Sequence, residues 1–347
     1  MNKNDSKMVQ GLSVLAMVCL HLFCRMNWAE YYATPLMLFG LPVSFYFAQL
    51  SDFCVFGFAL CSGYAHMTLS GKDHFYRRRL TALLSLYGRF WLILLLFTLT
   101  AFLIGQGRRI TGDWLGYLLT WPGLYNAYNG AWWYLPVYAL LVLLSPVLIR
   151  LCRKHHWLLL LALIAVCYAG GYYFRFKKVF QLTPHFNTEF CGKFFMTLAE
   201  YLFGAVLFKA RYFEKAKAAA QKISPVLFWL GSAVLCAAML FVRAQYLRTL
   251  FVAPLTGMAL ITMLVAGQKP KAVERFFLFF GAHSTNIWLT HMFFYLTLFS
   301  GLAFKAKYPL FIYAFLLALC VALSYALNFL YQPIQDQIKK LDNVAKV

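Results

Sequence analysis

The sequence predicts an all-α integral membrane protein, with about ten transmembrane helices around a central cavity and both termini in the cytoplasm. Composition is the first observation: of 347 residues, 62% are hydrophobic and only 12% are charged, with a mean hydropathy of +0.66. A soluble domain has about 25% charged residues. A globule of this length cannot hide so much apolar surface, so the surrounding solvent is predicted to be a lipid bilayer.

The second observation is the spacing of the apolar segments. No small-residue cleavage site follows the first apolar run, so we expect that run to be an uncleaved span. Segments 35–48 and 113–122 are shorter, contain Pro or Gly with aromatic residues, and are predicted to be interfacial or re-entrant. Residues 1–347 are predicted to form a single polytopic domain with no separate soluble domain. Windows of about 20 apolar residues place the spans at 8–24, 50–69, 82–104, 131–149, 157–174, 191–208, 225–242, 249–266, 276–298 and 309–331.

The third observation is the distribution of Lys and Arg between the predicted loops. If the N-terminus is cytoplasmic, the cytoplasmic loops carry about twice as many of these residues as the outer loops. This bias predicts that both termini face the cytoplasm. The net charge of +21 reflects the bias and an attraction to anionic lipid headgroups, and it does not indicate nucleic acid as a partner.

His21 and His291 are titratable residues within predicted spans, where ionisable groups are costly and usually functional. Each lies about 14–15 residues from the cytoplasmic start of its span, or about 21 Å along a helix. We therefore expect the two rings to lie at similar depth and to line one cavity. Lys7 and Gln10 fall close to the His21 face of the first helix, and Ser284 shares a face with His291. The alternative, that each ring is a hydrogen-bonded core residue, stays open on these observations.

The chemistry available to such a site is narrow. The chain has only 11 Asp and Glu residues, and no pattern predicts a serine-hydrolase elbow, a nucleotide-binding loop or a metal site. What remains is a neutral imidazole that acts as general base while a hydroxyl attacks an activated acyl group. Arg77, Arg78 and Arg79, with Lys7, are able to bind phosphate groups of a cytoplasmic donor. The three arginines also satisfy the orientation rule, so both interpretations stay open.

Other polar and aromatic residues are candidates for the cavity or the substrate site. Asp52 lies near a span end, whereas Arg89 and Glu200 lie deeper, where we expect a structural ion pair. Trp132 and Trp133 belong to an aromatic cluster on the predicted outer side. This cluster is able to stack on a sugar, and it is equally typical of the aromatic belt at a membrane interface.

Five segments together resemble the membrane acyltransferase-3 family, which includes bacterial enzymes that O-acetylate surface sugars. The likeness covers nearly the whole chain, and the segments occur in the family's order. They are the opening span that ends in histidine, MVQGLSVLAMVCLH; the span that ends in Ser-Gly-aromatic, DFCVFGFALCSGY; the arginine-rich FYRRRLTALLSLYGRFW; NGAWWYLPVYALLVLLSPVL; and the late HSTNIWLTHMFF.

The resemblance implies a role for each matched position. It also implies that acetyl-CoA, the acyl donor, enters from the cytoplasm, and that a sugar acceptor approaches from the outer side. The implied roles are the catalytic base for His21; phosphate binding for Arg77, Arg78 and Arg79; the path of the pantetheine arm for Ser62 and Gly63; and the central cavity for Ser284 and His291.

The sequence departs from the family pattern at the position eleven residues before His21, where the family has a basic residue. Gln10 occupies this position. Lys7 lies one turn earlier on the same face and is able to supply the charge; alternatively, the arginine cluster supplies it or the subgroup lacks it. The Arg-rich segment also has Ala82 and Leu83 where a further arginine is usual.

The leading hypothesis is a membrane O-acyltransferase that moves an acyl group, expected to be acetyl, from cytoplasmic acyl-CoA to a hydroxyl. The expected acceptor is a cell-surface polysaccharide or its lipid-linked precursor, and the expected location is the bacterial inner membrane. The alternative is a small-molecule or glycan transporter in which His21 and His291 relay protons. Paired repeats, which are typical of transporters, are not recognisable in the sequence. The sequence does not indicate an oligomeric state.

Overall fold

In the computed structural model the chain forms a bundle of α-helices with two small β-hairpins; residues 1–126, 128–183, 186–245 and 252–344 are described. Strands β1 (Met37–Leu38) and β2 (Leu41–Pro42) pair antiparallel, as do β3 (Gln181–Thr183) and β4 (Phe186–Asn187). The helices are α1 (Lys3–Phe23), α2 (Val43–Leu50), α3 (Cys54–Leu69), α4 (Phe75–Leu103), α5 (Gly107–Thr111), α6 (Trp114–Thr120), α7 (Tyr134–Lys154), α8 (Trp157–Tyr172), α9 (Glu189–Lys209), α10 (Tyr212–Ala220), α11 (Pro225–Gln245), α12 (Ala253–Ala266), α13 (Lys271–Thr290) and α14 (Pro309–Val344).

The helices confirm an all-α membrane protein. Among the described residues, eight helical segments are long and apolar enough to cross a membrane. The two other predicted spans overlap α12, a shorter apolar helix, and α13, which ends at Thr290, before the predicted end of its span at residue 298. The first residues of the predicted span 249–266 lie outside the described part of the chain. Mean hydropathy of the eight segments ranges from 1.4 to 2.4, which is typical of helices surrounded by lipid or by other apolar helices.

The second span begins earlier than the sequence predicts. Segment 35–48 is predicted to be interfacial or re-entrant, but only its first half lies outside the span, where it forms the β1–β2 hairpin. Its second half is α2, which continues through a 3₁₀ turn into α3, so that Val43–Leu69 is one apolar segment of 27 residues. Pro42 caused the error because it stands at the N-cap of α2, where its φ of −60° introduces the helix and does not break it.

Contacts between side chains and between backbone groups place the helix ends in two layers at opposite ends of the bundle. Successive spans alternate between these layers, which is the arrangement that repeated membrane crossing requires. Which layer faces the cytoplasm remains a prediction from the charge distribution. Contacts in the layer of the N-terminus are Lys217 to Asp5 (2.7 Å), Arg153 to Ser70 (2.7 Å) and Lys209 to the Cys152 carbonyl (2.7 Å); those in the other layer are Arg243 with Asp52 and the Ala33 amide to the Lys307 carbonyl (3.0 Å).

The helix α1 lies near the centre of the bundle. The protein buries 61% of its most apolar window, against 6% for α11, which faces the surroundings. α1 runs parallel to α13, because Gly11 approaches Gly281 with the same sequence offset that brings His21 to His291. A side chain at either glycine would collide with the backbone of the other helix. This close approach fixes the relative positions of the two histidines.

Candidate active site

A cavity of about 890 Å³ lies beside α1 and receives residues from most of the surrounding helices. Gln10, Met17 and His21 of α1 and Cys24, which follows the helix, line it. At 1.5 Å per residue, these positions extend over about 21 Å of helix. The cavity is therefore long enough to connect one half of the bundle with the other.

His21 and His291 are in direct contact at one end of this cavity. Nδ1 of His21 lies 2.8 Å from Nε2 of His291. The ring planes differ by 9° and the ring centroids are 5.1 Å apart, so the rings meet edge to edge and nearly coplanar. His21 lines the cavity, whereas His291 is fully buried behind it. The two rings thus lie at the same depth, as the sequence predicts, and are in contact. Only His21 is open to the cavity.

The hydrogen-bond network assigns the tautomer of both rings. Nδ1 of His291 lies 2.9 Å from the Trp288 carbonyl oxygen and 3.1 Å from that of Ile287. Because a carbonyl only accepts, this Nδ1 carries the hydrogen, and Nε2 of the neutral His291 ring must accept. Nδ1 of His21 is then the donor to His291, which leaves Nε2 of His21 with a free lone pair. The ring that lines the cavity is therefore in the form that a general base requires.

Gln10 and Lys7 lie together, as expected for residues one turn apart. The Lys7 ammonium donates to the Gln10 amide oxygen at 3.4 Å. Gln10 lines the cavity, and Lys7 does not. A cation thus stands directly behind the position where the family has a basic residue.

Ser62 and Gly63 face different surroundings although they are neighbours on α3. Ser62 lines the cavity, and its hydroxyl donates to the Phe58 carbonyl at 2.9 Å. Gly63 faces α9, where a Cβ would collide with the Tyr201 carbonyl oxygen. The contribution of Gly63 in this structure is therefore helix packing, which corrects its expected place along the pantetheine path.

Arg77, Arg78 and Arg79 occupy the first turn of α4 and are partly buried. They are not among the described residues that line the cavity. Nε of Arg79 is buried without a hydrogen-bond partner, and its charge acts on Tyr138, which does line the cavity. Of the three arginines, Arg79 is therefore the one best placed to act on a molecule inside.

Comparison with known families decides the class of protein. The sequence model of an acyltransferase domain, that of the acyltransferase-3 family, matches residues 5–329, nearly the whole chain. The chain belongs to the membrane acyltransferase-3 family. It is therefore an acyltransferase, in agreement with the leading hypothesis from the sequence. No curated protein and no solved structure matches the chain.

Two adjacent tryptophans of the acyltransferase differ in role. Trp133 lines the cavity, as predicted, and so does Ser284. Trp132 does not: it is fully buried, its indole donates to the Leu289 carbonyl at 3.0 Å, and its ring packs on Phe90. The two residues belong to one 3₁₀ turn, whose successive side chains point in different directions, so the prediction for Trp132 is wrong.

Arg89 was expected to form an ion pair, and this expectation is wrong. Its guanidinium donates to the side-chain oxygens of Asn328 (2.5 Å) and Asn286 (3.2 Å) and lies over the Tyr331 ring at 4.6 Å. Neutral amides and an aromatic face therefore solvate this partly buried cation. Arg89 joins α4 to α13 and α14 and does not line the cavity, which also corrects its predicted place there.

Asp52 lines the cavity, but its carboxylate forms a structural contact. It forms an ion pair with Arg243 of α11, and both side chains are almost completely buried, at 5% and 1% exposure. Arg243 also donates to the Gln49 carbonyl at 2.8 Å. This pair attaches the peripheral helix α11 to the centre of the bundle.

We expect Asp52→Ala to destabilise the acyltransferase by about 3–5 kcal/mol, because the substitution leaves a buried arginine without its carboxylate. The measurement is the free energy of unfolding in mixed micelles. The double variant Asp52→Leu/Arg243→Met serves as the control, since it removes both charges, and it should recover most of the loss. A single variant as stable as the wild type would contradict the structural role.

Several cavity residues were not singled out by the sequence. Glu200 is predicted to form an ion pair, and Arg175 lies just beyond the end of the predicted span 157–174. Both line the cavity. A charged residue within or beside an apolar segment was the one feature that could have marked them as functional. Nothing in the neighbouring sequence indicates which way their side chains face. The same is true of the tyrosines in the lining, which are Tyr134, Tyr138, Tyr168 and Tyr172.

Proposed function

We propose that this acyltransferase moves an acetyl group from cytoplasmic acetyl-CoA to a hydroxyl of a cell-surface polysaccharide or its lipid-linked precursor, in the bacterial inner membrane. The observation that carries the proposal is the histidine pair, in which Nε2 of His21 is unprotonated on a ring that lines the cavity. Family membership supports acyl transfer. The donor, the acceptor and the role of His21 are the parts that we propose.

The proposed reaction needs one base that later acts as an acid. Nε2 of His21 takes the proton of the acceptor hydroxyl while its oxygen attacks the thioester carbonyl. The tetrahedral intermediate collapses, the C–S bond breaks, and the sulfur of CoA takes the proton from the His21 imidazolium. The products are an O-acetyl ester and CoA. During this cycle Nε2 of His291 accepts from Nδ1 of His21 and stabilises the transient positive charge.

The length of the cavity suits a donor and an acceptor that arrive from opposite sides of the membrane. Lys7 and Arg79 stand toward the end that the charge distribution assigns to the cytoplasm, and His21 lies near the other end of α1. A flexible pantetheine arm is able to place its thioester near His21 while the CoA phosphates stay with the cations. Phosphates prefer such basic surroundings.

The proposal is tested with purified protein in nanodiscs and radiolabelled acetyl-CoA. We expect release of CoA thiol that depends on the protein, with water or an added sugar as acceptor. Reconstitution into sealed vesicles extends the test, because the donor should react only on the face that carries Lys3 and Lys7. Wild-type protein that neither binds nor consumes acetyl-CoA would overturn the proposal, and consumption on the opposite face would overturn the orientation.

A further inference from the structure

We infer that the part of the cavity between α7, α8 and α9 is a binding pocket for a polyhydroxylated acceptor, with Glu200 and Arg175 as its hydrogen-bonding residues. This inference rests on the proposed function, since it names where the acceptor binds. We call this part of the cavity the acceptor arm; its lining residues are Trp133, Tyr134, Tyr168, Tyr172, Arg175 and Glu200.

Glu200 is the first observation. It lies near the middle of α9, only 8% exposed, and its Oε2 atom is buried with no hydrogen-bond partner among the described residues. Leaving a carboxylate oxygen unsatisfied at this depth is costly, so the site is incomplete without a ligand that donates hydrogen bonds. The carboxylate faces the cavity, where such a ligand has access.

Arg175 is the second observation, and it supplies hydrogen-bond donors where Glu200 supplies an acceptor. It belongs to the π-helical turn Tyr173–Lys177 that follows α8, and its Nε is also buried without a hydrogen-bond partner. The guanidinium is held by aromatic faces, 4.9 Å from the Phe176 ring centroid and 5.4 Å from that of Trp133. The backbone of Arg175 presses against Gly192, where a side chain would not fit. The donor is therefore held in place before any ligand arrives.

Glu200 and Arg175 both line the acceptor arm, and the described contacts include no hydrogen bond between them. A hydroxyl both donates and accepts, so a ligand with several hydroxyls is able to bridge the carboxylate and the guanidinium. Aromatic walls beside such polar groups provide apolar contact for the C–H faces of a sugar ring. The chemistry of the arm therefore matches a sugar.

The same charges argue against the CoA phosphates as occupants of the arm. A buried carboxylate repels phosphate groups, so binding CoA in the acceptor arm would place several negative charges close to Glu200. Lys7 and Arg79, the cations proposed to bind the CoA phosphates, lie on α1 and α4 and not among the residues of the acceptor arm. Donor and acceptor are thus separated by charge as well as by position.

The experiment measures acceptor preference in nanodiscs with radiolabelled acetyl-CoA. The acceptors are the methyl glycosides of glucose, galactose, mannose and N-acetylglucosamine, with propanol as an alcohol that has one hydroxyl. The readout is the ratio of acetyl transferred to the best glycoside over acetyl transferred to propanol. A general loss of structure lowers both rates and leaves this ratio unchanged, so the ratio is specific for recognition.

We expect the wild type to prefer a glycoside, and Glu200→Gln to lower the ratio by about tenfold or more, because hydrogen bonds to a charged acceptor are the stronger ones. Glu214→Gln is the control: it makes the same change in an exposed carboxylate that is paired with Arg211 at 2.6 Å and lies outside the cavity lining. Its ratio should equal that of the wild type.

Two results would overturn the inference and leave the proposed function intact. One is a wild type that transfers acetyl to propanol as readily as to every glycoside. The other is a Glu200→Gln variant whose ratio equals that of the wild type. Wild-type protein that consumes no acetyl-CoA under any of these conditions is a different result, because it overturns the proposed function itself.

Discussion

His21→Ala is expected to lower acetyl transfer by about 10²–10⁴-fold, the usual contribution of a general base. The substitution removes the only group in the histidine pair that both lines the cavity and carries a free lone pair. Binding of acetyl-CoA should persist, since the donor is expected to contact other residues. The measurement is the rate of CoA release in nanodiscs, together with the dissociation constant for acetyl-CoA.

His66→Asn is the matched control for this experiment. His66 is also a buried histidine within a span, and its Nδ1 lies 2.8 Å from the Tyr201 hydroxyl, but it does not line the cavity. Asn retains a polar group for Tyr201, so the folded protein should turn over acetyl-CoA at nearly the wild-type rate. If His21→Ala and His66→Asn lose the same activity, or if His21→Ala loses none, His21 is not the base.

The sequence predicted the helical membrane fold and the similar depth of the two histidines for a simple physical reason. Span length is set by bilayer thickness, so hydropathy locates the helices, and residues at equal distances from their span starts lie at equal depth. His21 and His291 are 270 residues apart in the chain, yet depth alone made them candidates for one site. The motif resemblance then implied the role of catalytic base for His21 and a place in the central cavity for His291.

Depth does not determine which way a side chain faces, and most errors have this cause. Trp132 and Trp133 have the same depth and the same chemistry, but only Trp133 faces the cavity. Gly63 serves helix packing while its neighbour Ser62 faces the cavity. Rotation about a helix axis is set by packing against other helices, which a single sequence does not reveal.

Partners from distant helices were the other source of error. The sequence predicts that Arg89 pairs with a carboxylate, because burying an unpaired cation costs free energy of folding. It is solvated by Asn286 and Asn328, which lie 197 and 239 residues further along the chain. Glu200 shows the reverse case, since the expected partner is absent from its described contacts and its Oε2 faces a cavity. Both outcomes depend on the assembled bundle.

The second large effect is expected at His291, which acts through His21 and does not line the cavity. In His291→Ala the Nδ1–H of His21 loses its acceptor, so the ring is free to rotate and to adopt the other tautomer, in which Nε2 is protonated and unable to act as a base. Loss of the residue that orients a catalytic histidine is costly in other enzymes. We expect kcat to fall by about 10²-fold, with little change in KM for acetyl-CoA.

His291→Gln distinguishes positioning from mere packing. The glutamine amide oxygen reaches about the place of Nε2 and is able to accept from Nδ1 of His21, so this variant should recover most of the activity lost in His291→Ala. The double variant His21→Ala/His291→Ala should be no slower than His21→Ala alone, because a positioning residue has no effect once the base is gone. If glutamine is no better than alanine, or if the two losses multiply, His291 contributes through packing or through a separate step, and the tautomer assigned to His21 loses its support.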